Sequence, residues 1–162
     1  MKSPLDYFRK REFAIQRLKT TDAAEISGLH TDGFHRPWND GEFRSLLAQG
    51  PVFGFIARPV GKAGTAAGFV LVRLAAGEAE ILTVAVSRQE RRSGLGRQQK
   101  DAVLRELHAP RAENLFLEVD EKNIAAIGLY KKLGFGEVGK RPSYYQTADG
   151  RSSALVMRLD LK

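Results

Sequence analysis

The run Ile81-Leu82-Thr83-Val84-Ala85-Val86 is followed, four residues on, by Arg91-Arg92-Ser93-Gly94-Leu95-Gly96-Arg97 and then by an amphipathic stretch reaching His108. Six aliphatic and β-branched residues read as a strand, the glycines as a loop, and residues 95–108 as a helix. A strand feeding a glycine loop that opens a helix collects unpaired backbone N–H groups and the positive end of the helix dipole at one spot, where phosphate binds well. The glycines permit close approach and the arginines add charge. The third glycine of a G-x-G-x-x-G fingerprint would fall at Gln99, and no G-x-x-x-x-G-K-[ST] stretch occurs, so neither common nucleotide loop is present. On spacing alone, a plain structural turn stays open.

Working outward, residues 13–18 suit a first strand, and Thr21-Asp22 offers a cap for a helix over about 23–29. A second helix begins near Asn39-Asp40, with Phe43, Leu46 and Leu47 on one face, and Gly50-Pro51 stops it. Residues 52–57 and 68–74 read as strands paired across the Gly61-Lys62-Ala63-Gly64 turn, with 78–86 completing the meander. Beyond the glycine loop come a strand over 114–119, a helix over 123–133 stopped by Gly134, a strand over 135–138 running on toward Tyr145, and a last strand over 154–161. The order β-α-α-β-β-β-α-β-α-β-β implies a mixed α/β (α+β) fold, a sheet with helices on its faces.

The chain has 162 residues, enough for one compact domain with its own core, so residues 1–162 are read as a single domain. Apolar residues make up 43% and charged residues 28%, ordinary globular usage. Cysteine is absent, which removes disulfides, thiolate metal sites and cysteine nucleophiles and fits a reducing compartment. The apolar runs are strand-sized, and Arg9-Lys10-Arg11-Glu12 stands where a signal peptide needs its apolar stretch, so the expectation is a cytoplasmic protein with no membrane association. The net charge is +7, of which +4 lies between Arg88 and Arg105, pointing to nucleic acid, an anionic surface or a polyphosphate ligand. Aromatics do not interleave with this basic segment, which argues against a single-strand stacking platform.

The spacing Arg91-x-x-Gly94-x-Gly96 after such a strand resembles the acetyl-CoA motif of the GNAT N-acetyltransferases, over a resemblance running from about Phe13 to Leu161. It implies the GNAT acyltransferase fold, with a mostly antiparallel central sheet, and acetyl-CoA as co-substrate with no metal. Arg91, Arg92, Ser93, Gly94, Leu95, Gly96 and Arg97 would then hold the pyrophosphate, and Val84, Ala85 and Val86 would pair with the pantetheine arm. Family members commonly place apolar residues just after the glycines; here Gln98-Gln99-Lys100 follows, a polar run expected to face solvent.

Leu115-Phe116-Leu117-Glu118-Val119 places one acid in an apolar strand, where a carboxylate is costly unless solvated or partnered. Tyr130 follows twelve residues later near a helix end. By pattern alone, an exposed acid and a packed aromatic are the alternatives. The stretch from Leu117 to Tyr130, the Leu133-Gly134-Phe135 triplet and Arg141-Pro142-Ser143-Tyr144-Tyr145 resemble the RimI branch of that family, the ribosomal-protein N-alpha-acetyltransferases. The resemblance implies Glu118 as general base, Tyr130 as general acid and Asn123 as a cofactor contact, with Pro37, Trp38, Tyr144 and Tyr145 bordering the substrate groove. The partner it implies is a protein amino terminus, the N-terminal alanine of a ribosomal protein, with the enzyme a monomer or weak dimer.

The chemistry agrees with those roles. A free α-amino group, with a pKa of about 7.7–8.0, is far easier to deprotonate near neutrality than lysine at about 10.4. A carboxylate can take that proton, and a tyrosine hydroxyl can serve the leaving thiolate. Backbone N–H groups near Val84 to Val86 would polarise the thioester carbonyl. His30, His35 and His108 lack ligand spacing and are read as surface or packing residues. The acids that commonly precede the branch's last strand are replaced by Gly150-Arg151-Ser152-Ser153, leaving Glu118, Asp120 and Glu121 as the expected local acidic groove. Two other readings stay open: a GNAT enzyme acting on a small amine or lysine side chain, and a non-catalytic nucleic-acid-binding module using the 88–105 patch for phosphates, which salt-sensitive oligonucleotide binding uncompeted by CoA would favour.

Overall fold

The computed structural model describes residues 12–34, 37–61, 65–147 and 150–162, the side chains of 143–147 excepted. Seven strands form one sheet: β1 (Phe13–Arg17), β2 (Val52–Pro59), β3 (Gly68–Ala75), β4 (Glu78–Val86), β5 (Asn114–Asp120), β6 (Gly136–Thr147) and β7 (Gly150–Asp160), in spatial order β1-β2-β3-β4-β5-β7-β6. Every pairing is antiparallel except β4 with β5. That parallel pair requires a crossover, and α3 (Leu95–His108) supplies it.

The helices divide between the two faces. Val103 and Leu107 of α3, with Ile127 and Leu133 at α4 (Ile124–Lys132), pack against Leu115, Leu117, Val119 and Met157. On the other face, Ile26 of α1 (Ala23–Gly33) and Phe43 of α2 (Asp40–Leu47) pack against Val52, Ile56, Phe69 and Leu71. Residues alternate sides along a strand, so β3, covered on both faces, sends Val70 and Val72 to one core and Phe69 and Leu71 to the other. This explains its unbroken apolar sequence. Asn39 caps α2 by accepting from the Glu42 amide at 2.9 Å, and the Glu42 carboxylate accepts from the Asn39 amide at 3.1 Å, a reciprocal capping box.

The bounds of β4 and α3 match the sequence expectation, while α1 runs a turn further and β7 starts four residues earlier. The β7 extension comes from its hairpin with β6, where Thr147 pairs with Gly150. The turn expected at 61–64 falls largely outside the described residues.

The expected solvent-facing run after the glycines is corrected at Gln99. Its side chain is 1% exposed, whereas Gln98 and Lys100 are only partly covered. A helix that crosses a sheet presents every third or fourth residue to it, and Leu95, Gln99, Ala102, Val103 and Leu107 form that stripe. Gly68 makes room for the amide, since a Cβ there would stand 2.6 Å from Gln99 Oε1 and 2.7 Å from the Ala85 carbonyl.

Candidate active site

The site begins with a defect in β4. Leu71 pairs with Thr83 but Val72 pairs with Ile81, leaving Leu82 as an extra residue opposite β3. Such a bulge bends its strand and increases the local twist. It turns two consecutive side chains the same way: Leu82 packs with the α1/α2 core and the Thr83 hydroxyl meets His30 of α1. The β4–β5 ladder ends at the same level, its last pair being Ile81 with Leu117. Beyond it β4 continues to Val86 and β5 to Asp120, paired only on their outer sides, to β3 and β7. The two strands therefore open a wedge whose β4 wall carries Val84, Ala85 and Val86. Alternate backbone N–H and C=O groups of that wall are available to an extended chain, as at any sheet edge.

At the end of this wall lies the glycine loop. Arg92 and Gly94 both adopt the left-handed region, with φ of 65° and 86°. Gly94 is the N-cap of α3 and brings no side-chain cap, and the first turn has no acid. The first bond of the helical ladder runs from the Gln98 amide to the Gly94 carbonyl, 3.2 Å, so the amides of Leu95, Gly96 and Arg97 precede it. Arg91, Arg92 and Arg97 are exposed around this end, and Ser93 turns its hydroxyl back to the Glu90 carbonyl. Cations at a helix N-terminus oppose the dipole, each by about 0.3–1 kcal/mol. An anion seated among them reverses that sign. The residues thus fit a pyrophosphate, and the wall beside them fits an extended amide-bearing arm.

Glu118 is the first residue of β5 past the last β4–β5 pair. Leu117 and Val119 face α3 and α4, so Glu118 lies on the opposite face, the one covered by α1 and α2. Its side chain is 19% exposed and its Oε1 accepts from Arg141 Nη2 at 2.8 Å, across β7. Ala154, in register with both Arg141 and Asp120, is fully buried beneath this region. Glu121 pairs with Lys140 Nζ at 2.8 Å and accepts from the Ser153 amide at 3.1 Å. The Lys140 hydrogen bond, then the Ser153 amide, hold the Glu121 carboxyl below its ordinary range. Of the three acids expected to form a local groove, Glu118 and Glu121 are thus each paired with a cation of β6, while Asp120 accepts from the Lys122 amide at 3.0 Å. Nothing in the sequence marks Arg141 for this role, because a charge at fixed spacing does not reveal a partner two strands away.

Tyr130 lies in the last turn of α4, its ring edge-on to Phe135 with centroids 6.0 Å apart. Burial pushes its hydroxyl up to about 12. Asn123 caps α4, accepting from the Ala126 amide at 3.1 Å, which leaves its amide nitrogen for another partner. Pro37 is exposed and Trp38 half-buried, the latter held by Ser27 Oγ donating to its carbonyl at 3.0 Å and by its own amide donating to His30 Nδ1 at 3.0 Å. Tyr144 and Tyr145 run in β6, Tyr145 opposite Ser152, and their side chains lie outside the described residues, as does His35. His108 is exposed, whereas His30 is 2% exposed.

The profile of the acetyltransferase (GNAT) family matches residues 23–135, from α1 through the glycine loop to the end of α4. The chain belongs to the GNAT family. It is an acetyl-CoA-dependent N-acetyltransferase of the RimI-like branch. Over 147 residues it is 32% identical to the [ribosomal protein bS18]-alanine N-acetyltransferase of Escherichia coli, covering 91% of this chain and 97% of that one. An N-alpha-acetyltransferase of Sulfurisphaera tokodaii is 28% identical over 159 residues, covering 90% and 92%. The crystal structure of the ribosomal-protein-S18-alanine N-acetyltransferase from Escherichia coli superposes with a TM-score of 0.84 at 32% identity, covering 93% of this chain and 95% of that one. The GNAT fold, with its mixed and mostly antiparallel sheet, is thus the one the sequence implied. Among the described residues no cluster of ligating side chains suits a metal ion, and no helix is long and apolar enough to cross a membrane.

Proposed function

We propose that residues 1–162 form one acetyltransferase domain that moves acetyl from acetyl-CoA to the amino terminus of a protein, the alanine of a ribosomal protein being the favoured acceptor. The observation that carries this reading is the position of Glu118, at the apex of the wedge, on the face lined by the Trp38 segment. The similarity to alanine N-acetyltransferases over nearly the whole chain supports the acceptor class. The cytoplasm is part of the same proposal.

In this mechanism the uncapped start of α3, with Arg91, Arg92 and Arg97, holds the pyrophosphate, while Val84, Ala85 and Val86 align the arm and Asn123 offers its free amide nitrogen. Bound acetyl-CoA supplies a thioester, whose C–S bond breaks as the acceptor nitrogen forms the new C–N bond. Glu118 takes the proton released from that nitrogen, directly or through one water. Backbone N–H groups of the β4 wall stabilise the developing charge on the carbonyl oxygen. Tyr130 remains protonated across the working pH range and donates to the departing sulfur. Because its hydroxyl is held near 12 and an ordinary thiol lies near ~8.5, the donation is a hydrogen bond more than a completed transfer.

The test is acetyl transfer to two matched peptides, one with a free amino-terminal alanine and a blocked lysine, the other with the terminus blocked and the lysine free, the product located by mass spectrometry. Transfer to the first alone, lost in Glu118→Gln, is the expected result. Transfer to neither, with acetyl-CoA still bound, would replace the acceptor with a small amine.

A further inference from the structure

His30 occupies a position that neither packing nor the reaction above accounts for. It comes from α1, is 2% exposed, and has both ring nitrogens engaged. Nδ1 accepts from the Trp38 amide at 3.0 Å, so the proton of the neutral ring sits on Nε2, which donates to Thr83 Oγ1 at 3.0 Å. The ring stacks between Phe34 and Trp38, centroids 3.9 and 5.1 Å away, and meets Phe43 edge-on at 5.3 Å. Ser27, one helical turn earlier on α1, fixes the Trp38 carbonyl. One residue therefore ties together three things: the helix α1, the chain entering α2, and the first strand residue beyond the β4 bulge.

The location of the two ends makes this a functional link. Thr83 directly precedes Val84, where the wedge wall begins, and it points to the α1/α2 side only because the bulge at Leu82 doubles that side. Trp38 stands on the same side of the sheet as Glu118. A simple core position would be filled by an apolar side chain without two directional bonds to satisfy.

We propose that His30 is a positioning residue that clamps the Pro37-Trp38 segment to β4, setting the acceptor groove at a fixed distance from the acetyl-bearing wall. This rests on the reading of the Trp38 segment as an acceptor border. The clamp acts on the acceptor amine through the Trp38 side of Thr83, and the pyrophosphate residues Arg91 to Arg97 lie well beyond it in the chain.

Trp38 is the single tryptophan of the chain, so its fluorescence reports the segment directly. The experiment compares wild type with Thr83→Val, Thr83→Ser and His30→Asn. Thr83→Val cuts the clamp at its far end with little change of volume; Thr83→Ser keeps the hydroxyl; His30→Asn keeps an acceptor for the Trp38 amide but cannot reach Thr83. Loss of one ordering hydrogen bond raises the KM of the acceptor about tenfold in Thr83→Val and His30→Asn, with the KM of acetyl-CoA within about twofold by the same measure. Thr83→Ser restores the acceptor KM, and Trp38 becomes more accessible to acrylamide in the two impaired variants. Equal losses for both substrates that track melting temperature, or unchanged acceptor KM despite altered fluorescence, would overturn the clamp. A wild type that acetylates lysine or a small amine instead of a terminus overturns the acceptor class, and the clamp is then judged on the KM of that amine.

Discussion

Among the described residues, burial displaces two proton equilibria, in opposite directions, and each has a measurable consequence. His30 is held down to about 4 by desolvation, against a solution value of 6.5. Between those values the unfolded chain carries a proton that the folded one refuses, so stability falls as pH drops from about 6.5 to about 4 and is flat above that window. A displacement of that size corresponds to about 3 kcal/mol. Urea midpoints at pH 7, 5.5 and 4.5 should show this loss in wild type and a shallower one in His30→Asn, the difference isolating the histidine from the carboxylates. For Tyr130, desolvation raises the hydroxyl to about 12, so the alkaline limb of the rate profile cannot be its own. Tyr130→Phe should lower kcat by about a hundredfold while the affinity for acetyl-CoA, measured by calorimetry, stays within about twofold; a large loss of affinity would reassign the residue to binding. Gln99 provides a third case. Both its amide atoms are buried with no hydrogen-bond partner among the described residues, and Gln99→Leu should raise the unfolding free energy by about 1 kcal/mol, read as a higher melting temperature.

At the scale of the element, α3 is built against its own dipole. Its N-terminus lacks a capping side chain and any acid, and Arg97 sits in its first turn. Reversing that charge should separate stability from function: Arg97→Glu gains about 0.5 kcal/mol in the free enzyme yet raises the KM of acetyl-CoA. Thermal melts without ligand and initial rates with it read the two signs independently, and a fall in both would refute the anion cradle. This element was also the most legible part of the sequence. Its bounds at Leu95 and His108 and those of β4 at Glu78 and Val86 follow from local signals, glycines and periodicity. What local signals could not carry were relations across space. The burial of Gln99 depends on Gly68, thirty-one positions away, yielding room for its amide. The pairing of Glu118 with Arg141 depends on β7 inserting between β5 and β6. His30 reads as an ordinary helical histidine until the bulge at Leu82 brings Thr83 to it.

At the scale of the whole molecule, the sheet is two ladders that share one short parallel seam. Strands β1 to β4 form one and β5, β7 and β6 the other, joined by pairing over Glu78 to Ile81 and Asn114 to Leu117. Beyond the seam, the inner edges of β4 and β5 face each other without pairing. Unpaired strand edges inside a folded chain are unsatisfied hydrogen-bonding groups, and a bound extended arm completes them. Binding of acetyl-CoA should therefore act as a third strand between the halves and stabilise the fold as any native-state ligand does, by about 2.7 kcal/mol at a hundredfold excess over Kd. For a chain of this length that corresponds to a rise of roughly 5–10 °C in melting temperature. Hydrogen exchange locates the gain. Protection should increase in residues 84–86 and at the amides of 95–97, and should leave the seam at Glu78 to Ile81 unchanged, because its bonds already exist. If protection instead rose evenly over the molecule, the ligand would be acting through global stability alone, and the picture of a wedge closed by its substrate would have to be given up.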